Sequence, residues 1–179
     1  MKSQIVTIFV STMFLSFSSI ASAGDEQNAP AEAREVLSQL GEIAPAVADF
    51  LDNAYAYAVY PHVTKVGVLL VGGAGGHGVV YQRGHVVGTS KLEAATFGPQ
   101  IGGQSYSEFV AFENEATFQE FQKGELKLTA QVSSVAVTAG ASANASYHDG
   151  VIVFTMLPKG LMAEVTVAGQ VLSFFPVSK

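Results

Sequence analysis

The segment GAGGHG, residues 73–78, has the G-x-G-x-x-G spacing of a dinucleotide-binding turn, in which glycines let the backbone approach a pyrophosphate. Glu93 follows at about the separation where a carboxylate binds the ribose. That chemistry requires a helix after the third glycine, because the helix N-terminus binds the phosphates. The residues that follow, Val79-Val80-Tyr81, favour a strand instead. We therefore predict no nucleotide site, and a turn between two antiparallel strands in which the glycines also permit close backbone approach.

The four histidines are the next candidates for chemistry, because histidine is a common metal ligand and general base. His77 and His85 flank a predicted strand over residues 79–83, where they could meet across a hairpin, and His148 is followed by Asp149. No H-x-x-x-H or H-E-x-x-H spacing accompanies them, so solvent-exposed turn histidines are the favoured interpretation. The sequence predicts no metal site and no cofactor.

Other catalytic arrangements are equally weak. The chain has no G-x-S-x-G segment to present a nucleophilic serine. Glu113 and Glu115 stand at a predicted helix start, where the helix dipole favours acidic side chains without any catalytic role. We therefore expect a protein that is not an enzyme.

The N-terminus has the pattern of an export signal. Lys2 precedes an apolar stretch over residues 5–17, and Ala21-Ser22-Ala23 is a small-x-small cleavage site. The alternative is an N-terminal anchor that is never cut. Because the chain has no cysteine, a lipid-modified cysteine at the cleavage site is excluded. We predict a cleaved signal peptide over residues 1–23 and a periplasmic or secreted mature chain.

Composition limits the possible partners of the mature chain. Removing residues 1–23 takes away one lysine and no acid, so the formal charge falls from −6 to −7. The remaining cations are scattered, whereas nucleic-acid binding needs clustered lysine and arginine. Without cysteine, disulfides, thiolate metal sites and thiol nucleophiles are impossible. We expect no nucleic-acid partner.

The elements follow from hydrophobic periodicity. After a polar leader over residues 24–31, apolar residues at spacings of three and four predict two helices, about 31–40 and 45–58, with Pro61 ending the second. Short glycine-punctuated strands follow, among them 66–71, 79–83, one that opens at 86–87, 108–111, 151–156, 161–167 and 171–176. They are interrupted by a helix over 114–123 that Asn114 caps and Gly124 ends. The predicted class is α+β: N-terminal helices, then a mostly antiparallel sheet or barrel-like core with one short inserted helix, in a single domain over residues 32–179.

Five ordered blocks of the sequence resemble the SYLF domain family. They are LDNAYAYAVYP (51–61), KVG (65–67), GGAGGHGVV (72–80), GPQIGGQ (98–104) with EN (113–114) before a short helix, and KGL (159–161) followed by Gly169. The family commonly has a Trp-Ser-Pro type segment before the fourth block, whereas this chain has no tryptophan and reads GTSK there. That departure puts any tryptophan-dependent ligand contact in doubt and leaves the fold inference intact.

The resemblance implies lipid or membrane association, with an amphipathic N-terminal helix at the bilayer surface. The implied partner is a phospholipid or membrane surface, and the predicted lipid-binding residues are the apolar stripe Val36, Leu40, Ile43, Val47, Phe50 and Leu51. The polar face of these helices is acidic, which favours packing in the core over docking on anionic lipid. The alternative function is a protein-interaction or structural module acting through a sheet edge or the strand-like residues 133–146.

Overall fold

The computed structural model describes residues 23–124, 126–129, 134–137, 145–157 and 169–177. These residues form three helices and six strands, and the strands make up one sheet that is the larger part of the fold. In chain order they are α1 (Ala23–Ile43), α2 (Pro45–Asn53), β1 (Ala56–Gln82), β2 (His85–Phe112), α3 (Glu115–Gln122), β3 (Lys127–Thr129), β4 (Ser134–Ala136), β5 (Val151–Met156) and β6 (Gly169–Pro176). The predicted α+β class is confirmed. Among these helices, none combines the length and apolar content needed to cross a bilayer.

The sheet is built on one long hairpin. β1 and β2 pair antiparallel from Ala56↔Phe112 to Gln82↔His85, joined by a two-residue turn at Arg83-Gly84. Both turn residues have positive φ, 50° and 78°, as a type I′ turn requires. We call this hairpin the ribbon, its base half being residues 56–65 with 104–112 and its tip half residues 72–95.

The remaining strands attach to the two halves separately. β5 pairs antiparallel with β2 over residues 107–112 of the base half, and β4 pairs with β5 in parallel. β6 pairs antiparallel with β2 over residues 88–95 of the tip half, and β3 pairs with β6. The ribbon therefore carries one group of strands at each end.

Each face of the sheet carries a hydrophobic core. On the helix face, α1 and α2 pack over side chains that include Tyr57, Val59, Phe109 and Phe154. On the inner face, α3 inserts Phe118 and Phe121 against Phe112, with centroid distances of 5.6 and 4.7 Å. Alternation along each strand explains this division, since successive side chains point to opposite faces.

Several sequence predictions of element bounds were wrong. α1 extends from Ala23 to Ile43 and includes the polar leader 24–31, and α2 ends at Asn53 instead of near residue 58. Residues 56–60 alternate between the two faces of the sheet, so their period of two overrides the helical spacing that the alanines suggested. The strands expected over 66–71 and 79–83 are one continuous β1, and those over 86–87 and 108–111 are one continuous β2.

The inserted helix is confirmed. Asn114 accepts a hydrogen bond from the Thr117 backbone N–H at 3.1 Å, and Gly124 follows the helix with a φ of 71°. The strand expected over 151–156 is β5, and that over 171–176 lies within β6. The signal peptide up to residue 22, the strand expected over 161–167 and the block 159–161 lie outside the described residues.

Candidate functional site

The glycine-rich segment lies inside a strand. Residues 73–78 belong to β1 and pair with residues 90–95 of β2, so the predicted turn at this segment was wrong. The reversal comes later, at Arg83-Gly84, because those residues adopt the positive φ that a two-residue turn needs. No helix starts after Gly78, which removes the geometry on which a dinucleotide site depends.

Close backbone approach, the second role predicted for the glycines, is what the structure uses. A Cβ built on Gly78 would lie 2.6 Å from Tyr60 Cδ1 and 2.7 Å from the Val59 carbonyl oxygen. A Cβ on Gly76 would lie 2.6 Å from the His62 carbonyl oxygen. The two glycines of the tip half thus pack directly on the backbone of the base half.

The ribbon is therefore folded back on itself. Tyr57 and Tyr81, at opposite ends of β1, stack with centroids 5.1 Å apart and planes 16° from parallel. Burial and the nearby Asp52 and Tyr81 raise the pKa of Tyr57 to about 12, so this hydroxyl stays neutral. Folding of the ribbon encloses the inner face between its two halves.

A polar cluster lies within this enclosed inner face. The Tyr60 hydroxyl and Ser90 Oγ are 2.7 Å apart in a buried hydrogen bond. Gln170 Nε2 donates to Glu108 Oε2 at 3.0 Å, also buried. Tyr60 and Glu108 are register partners across β1 and β2, so the two hydrogen bonds lie side by side. We call these four residues the polar clasp.

Glu108 is the anomalous member of the polar clasp. Its side chain is fully buried, and its Oε1 has no hydrogen-bond partner among the described residues. Burial raises the pKa of this carboxyl to about 8, and the opposing effects of Gln170 and the Tyr106 hydroxyl are smaller. The Tyr106 hydroxyl lowers the pKa of Glu108, although it makes no well-formed hydrogen bond to Oε1. At neutral pH the carboxyl is therefore mainly protonated.

The tyrosines beside Glu108 respond to the same environment. Burial raises the pKa of Tyr60, the Ser90 hydrogen bond partly opposes it, and Glu108 adds to it. Burial likewise raises the pKa of Tyr106. Both hydroxyls therefore remain neutral hydrogen-bonding groups, and Glu108 alone in this cluster titrates near physiological pH.

The sequence analysis missed the polar clasp, treating Glu108 only as the first residue of a strand. The signal was present in the alternation of β2. Tyr106, Val110 and Phe112 face inward, so a period of two places Glu108 among them. An acidic residue at an inward position of an apolar strand is rare, because burying a carboxylate is costly.

The predicted lipid-binding stripe packs against the sheet. Its four buried members lie in the core of the helix face, and its two half-buried members pack on that core: Val36, Leu40, Val47 and Leu51, then Ile43 and Phe50. Phe50 contacts the Phe154 ring edge-on at 5.4 Å. Packed in this way, the stripe stabilises the fold, and its contact with lipid stays a prediction.

The histidines do not come together. The ribbon register pairs His77 with Lys91 and His85 with Gln82, so they are not opposite each other. His148 is 3.3 Å from the exposed Asp149 carboxylate. Within the described ranges, no group of three or more His, Asp or Glu side chains is arranged to hold a metal ion.

An exposed apolar patch lies where the helices stop covering the sheet. β6 contributes no described residue to the core of the helix face. Its Phe175 is the register partner of Thr89, which pairs with the helix-face residue Val79, so Phe175 points to the helix face. Phe175 is 51% exposed, and Val171 on the same side of β6 is also 51% exposed.

The patch continues to the tip of the ribbon. Val177 is 55% exposed and its backbone N–H bonds to the Val87 carbonyl oxygen at 3.1 Å, while Val86 next to it is 44% exposed. We call Val86, Val171, Phe175 and Val177 the apolar patch; they are the large apolar side chains that the described residues leave most exposed. Arg83, in the turn between β1 and β2, has its guanidinium carbon 5.8 Å from the centroid of the Tyr55 ring.

Comparison with known proteins agrees with the sequence resemblance. Residues 93–174 match the sequence profile of the Ysc84 family, described as "Las17-binding protein actin regulator". The chain is also similar to beta cell expansion factor A of Aeromonas veronii, with 27% identity over 126 residues. That alignment covers 70% of this chain and 48% of the relative, so the chain spans about half of the relative's length. The predicted resemblance is confirmed: residues 93–174 of this chain match the Ysc84 (SYLF) family.

Proposed function

We propose that this chain is an exported, non-catalytic domain that binds lipid at a membrane surface of the cell envelope. The observation that carries the proposal is the apolar patch on the uncovered part of the helix face. Exposed apolar side chains grouped at one edge gain free energy when they enter the acyl boundary of a bilayer. The match of residues 93–174 to the Ysc84 (SYLF) family and the predicted signal peptide support the same function.

The charge around the patch gives anionic lipid little attraction. The formal net charge is −6, which opposes attraction to anionic lipid. Lys91, on the helix face of β2, is paired with Glu93 at 2.9 Å, and the Arg83 guanidinium lies over the Tyr55 ring. Apolar insertion should therefore dominate, and added salt should weaken binding only slightly.

Co-sedimentation with vesicles tests this function. The mature chain is mixed with phosphatidylcholine vesicles, with and without phosphatidylglycerol, and we expect it to pellet with them. Phe175→Ser with Val177→Ser should reduce the partition coefficient by about tenfold or more, since two exposed apolar side chains are lost. Gln119→Ser, on an exposed position of α3, is the matched control and should bind as the wild type does. Absence of binding to either vesicle would contradict the proposal.

The stripe on α1 and α2 is compared in the same assay. Phe50→Ser changes a half-buried stripe residue that packs on the core. If the helices detach and dock, this variant should lose more binding than the patch variant. If they stay on the sheet, it should bind nearly as the wild type does once its folded fraction is accounted for.

A second candidate is a protein-interaction module. The description of the matched family names a protein that binds Las17, which is a protein partner and not a lipid. A defined protein that binds the mature chain, with no vesicle binding and no co-purified phospholipid, would favour this function.

A further inference from the structure

We propose that the polar clasp is a pH-sensitive latch: it holds the two halves of the ribbon together while Glu108 is protonated, and ionisation of Glu108 releases them. The latch belongs to the fold itself and does not depend on whether the domain binds lipid. It assigns a role to a buried carboxyl for which the proposed function has no use.

One hydrogen bond of the clasp joins the two halves of the ribbon directly, and the other joins the base half to a strand that pairs with the tip half. Tyr60 lies in the base half and Ser90 in the tip half. Glu108 lies in the base half, while Gln170 is on β6, where its register partner is Ala94 of the tip half. Breaking the clasp therefore loosens the closure of the ribbon without removing a hydrogen bond from the sheet ladder.

No positively charged group faces Glu108 among the described residues. Tyr60 faces it from β1, Tyr106 from β2 and Gln170 from β6, and Thr155 of β5 is its register partner. All four are uncharged. Among the described residues, none of the buried side chains is a lysine, arginine or histidine that could neutralise a carboxylate.

Ionisation changes the hydrogen-bonding demand at this point. A protonated carboxyl can accept from Gln170 at one oxygen and needs no donor at the oxygen that carries the proton. A carboxylate needs donors at both oxygens, and Oε1 has none among the described residues. An unpartnered buried charge is costly enough to favour movement of the carboxylate to water.

The direction of the pH effect follows from the raised pKa. The folded chain holds a proton up to about pH 8, whereas the unfolded chain releases it near the ordinary value of 4.5. The stabilising contribution is complete below the unfolded pKa and is lost as pH rises through the folded pKa. The folding equilibrium constant should therefore fall by up to about tenfold per pH unit in this window, roughly a thousandfold in all.

Urea unfolding across this pH window tests the latch. The folding equilibrium constant of the wild type should fall steadily as pH rises. Glu108→Gln keeps the side-chain shape and cannot ionise, so its folding equilibrium constant should depend much less on pH. Glu93→Gln removes a partly exposed carboxyl from the same strand and should keep the wild-type slope. Equal slopes for the wild type and Glu108→Gln would overturn the proposal.

A second measurement on the wild type needs no folded variant. Carbon-13 labelling of the glutamate carboxyl groups should show one carboxyl that stays protonated at neutral pH and ionises near pH 8 in the folded protein. The absence of such a carboxyl would overturn the proposal even if Glu108→Gln failed to fold.

Release of the two halves has its own readout. Because the chain has no cysteine, spin labels can be placed at Ser105 of the base half and His85 of the tip half, both of which are exposed. Their distance distribution should broaden above pH 8 in the wild type and remain narrow when Glu108→Gln is added. An unchanged distribution in the wild type would overturn the release step.

Discussion

Substitution of Gly78 by alanine tests the folded ribbon most directly. The new Cβ would stand 2.7 Å from the Val59 carbonyl oxygen and 2.6 Å from Tyr60 Cδ1. Ordinary contacts begin near 3.4 Å, so the two halves of the ribbon would have to separate by several tenths of an ångström. The Val59 oxygen is backbone and cannot rotate away. The closely packed inner face must therefore absorb the displacement.

The expected cost follows from two opposing effects. Overpacking in a well-packed core costs about 1–3 kcal/mol. Replacing glycine by alanine also restricts the unfolded chain, which returns roughly 0.4–1 kcal/mol where the backbone conformation permits it. Because backbone is the obstacle, we expect a net destabilisation of about 2 kcal/mol. For a domain of this size that corresponds to a melting temperature lower by roughly 4–8 °C.

The matched control is Gly75→Ala in the same strand. Its Cβ would meet the Leu92 carbonyl oxygen at 3.4 Å, an ordinary contact, so only the unfolded-chain effect should remain. Urea and thermal unfolding followed by circular dichroism measure both variants. Equal stability of Gly78→Ala and Gly75→Ala would refute the close approach of the two halves, and with it the reason given for the glycines.

Three further changes should each alter the free energy of urea unfolding. Leu51→Ala should lower it by about 2–5 kcal/mol, because this buried leucine fills the core between α2 and the sheet; a loss below 1 kcal/mol would mean that α2 is only loosely held. Asn114→Ala should lower it by about 1 kcal/mol through loss of the cap on α3, whereas Asn114→Asp should change it little, since aspartate caps equally well. Gly41→Ala should raise it by up to about 1 kcal/mol, because that helical position has open space, and a loss of stability there would contradict the packing of α1.

The outline of the fold was accessible from the sequence because it depends on local signals. Asn114 and Gly124 mark the ends of α3 through their own hydrogen bond and φ angle, and both predictions are confirmed. The apolar stripe from Val36 to Leu51 shows that two helices bury one side, whatever they bury it against. The family resemblance likewise depends on ordered local blocks, and the match over residues 93–174 confirms that resemblance.

The arrangement of the ribbon was not accessible, because it depends on contacts between distant residues. Local glycine content is typical of turns, and nothing near residues 73–78 indicates that the backbone of residues 59–62 will lie against them. The lengths of β1 and β2 were misjudged for the same reason: glycines that normally interrupt strands are tolerated where another backbone needs the space.

The sequence by itself determined the α+β class, the helix caps, the cysteine-free chemistry and the family resemblance, since each follows from residue identity and short-range spacing. Only the tertiary structure decided what Glu108 does. Alternation could place that carboxyl on the inward face of β2. The pKa of the carboxyl, however, depends on the exclusion of water from the enclosed face and on Gln170, which is 62 residues away in the sequence. Desolvation is a property of everything packed around a group, so it exists only once the ribbon has folded over.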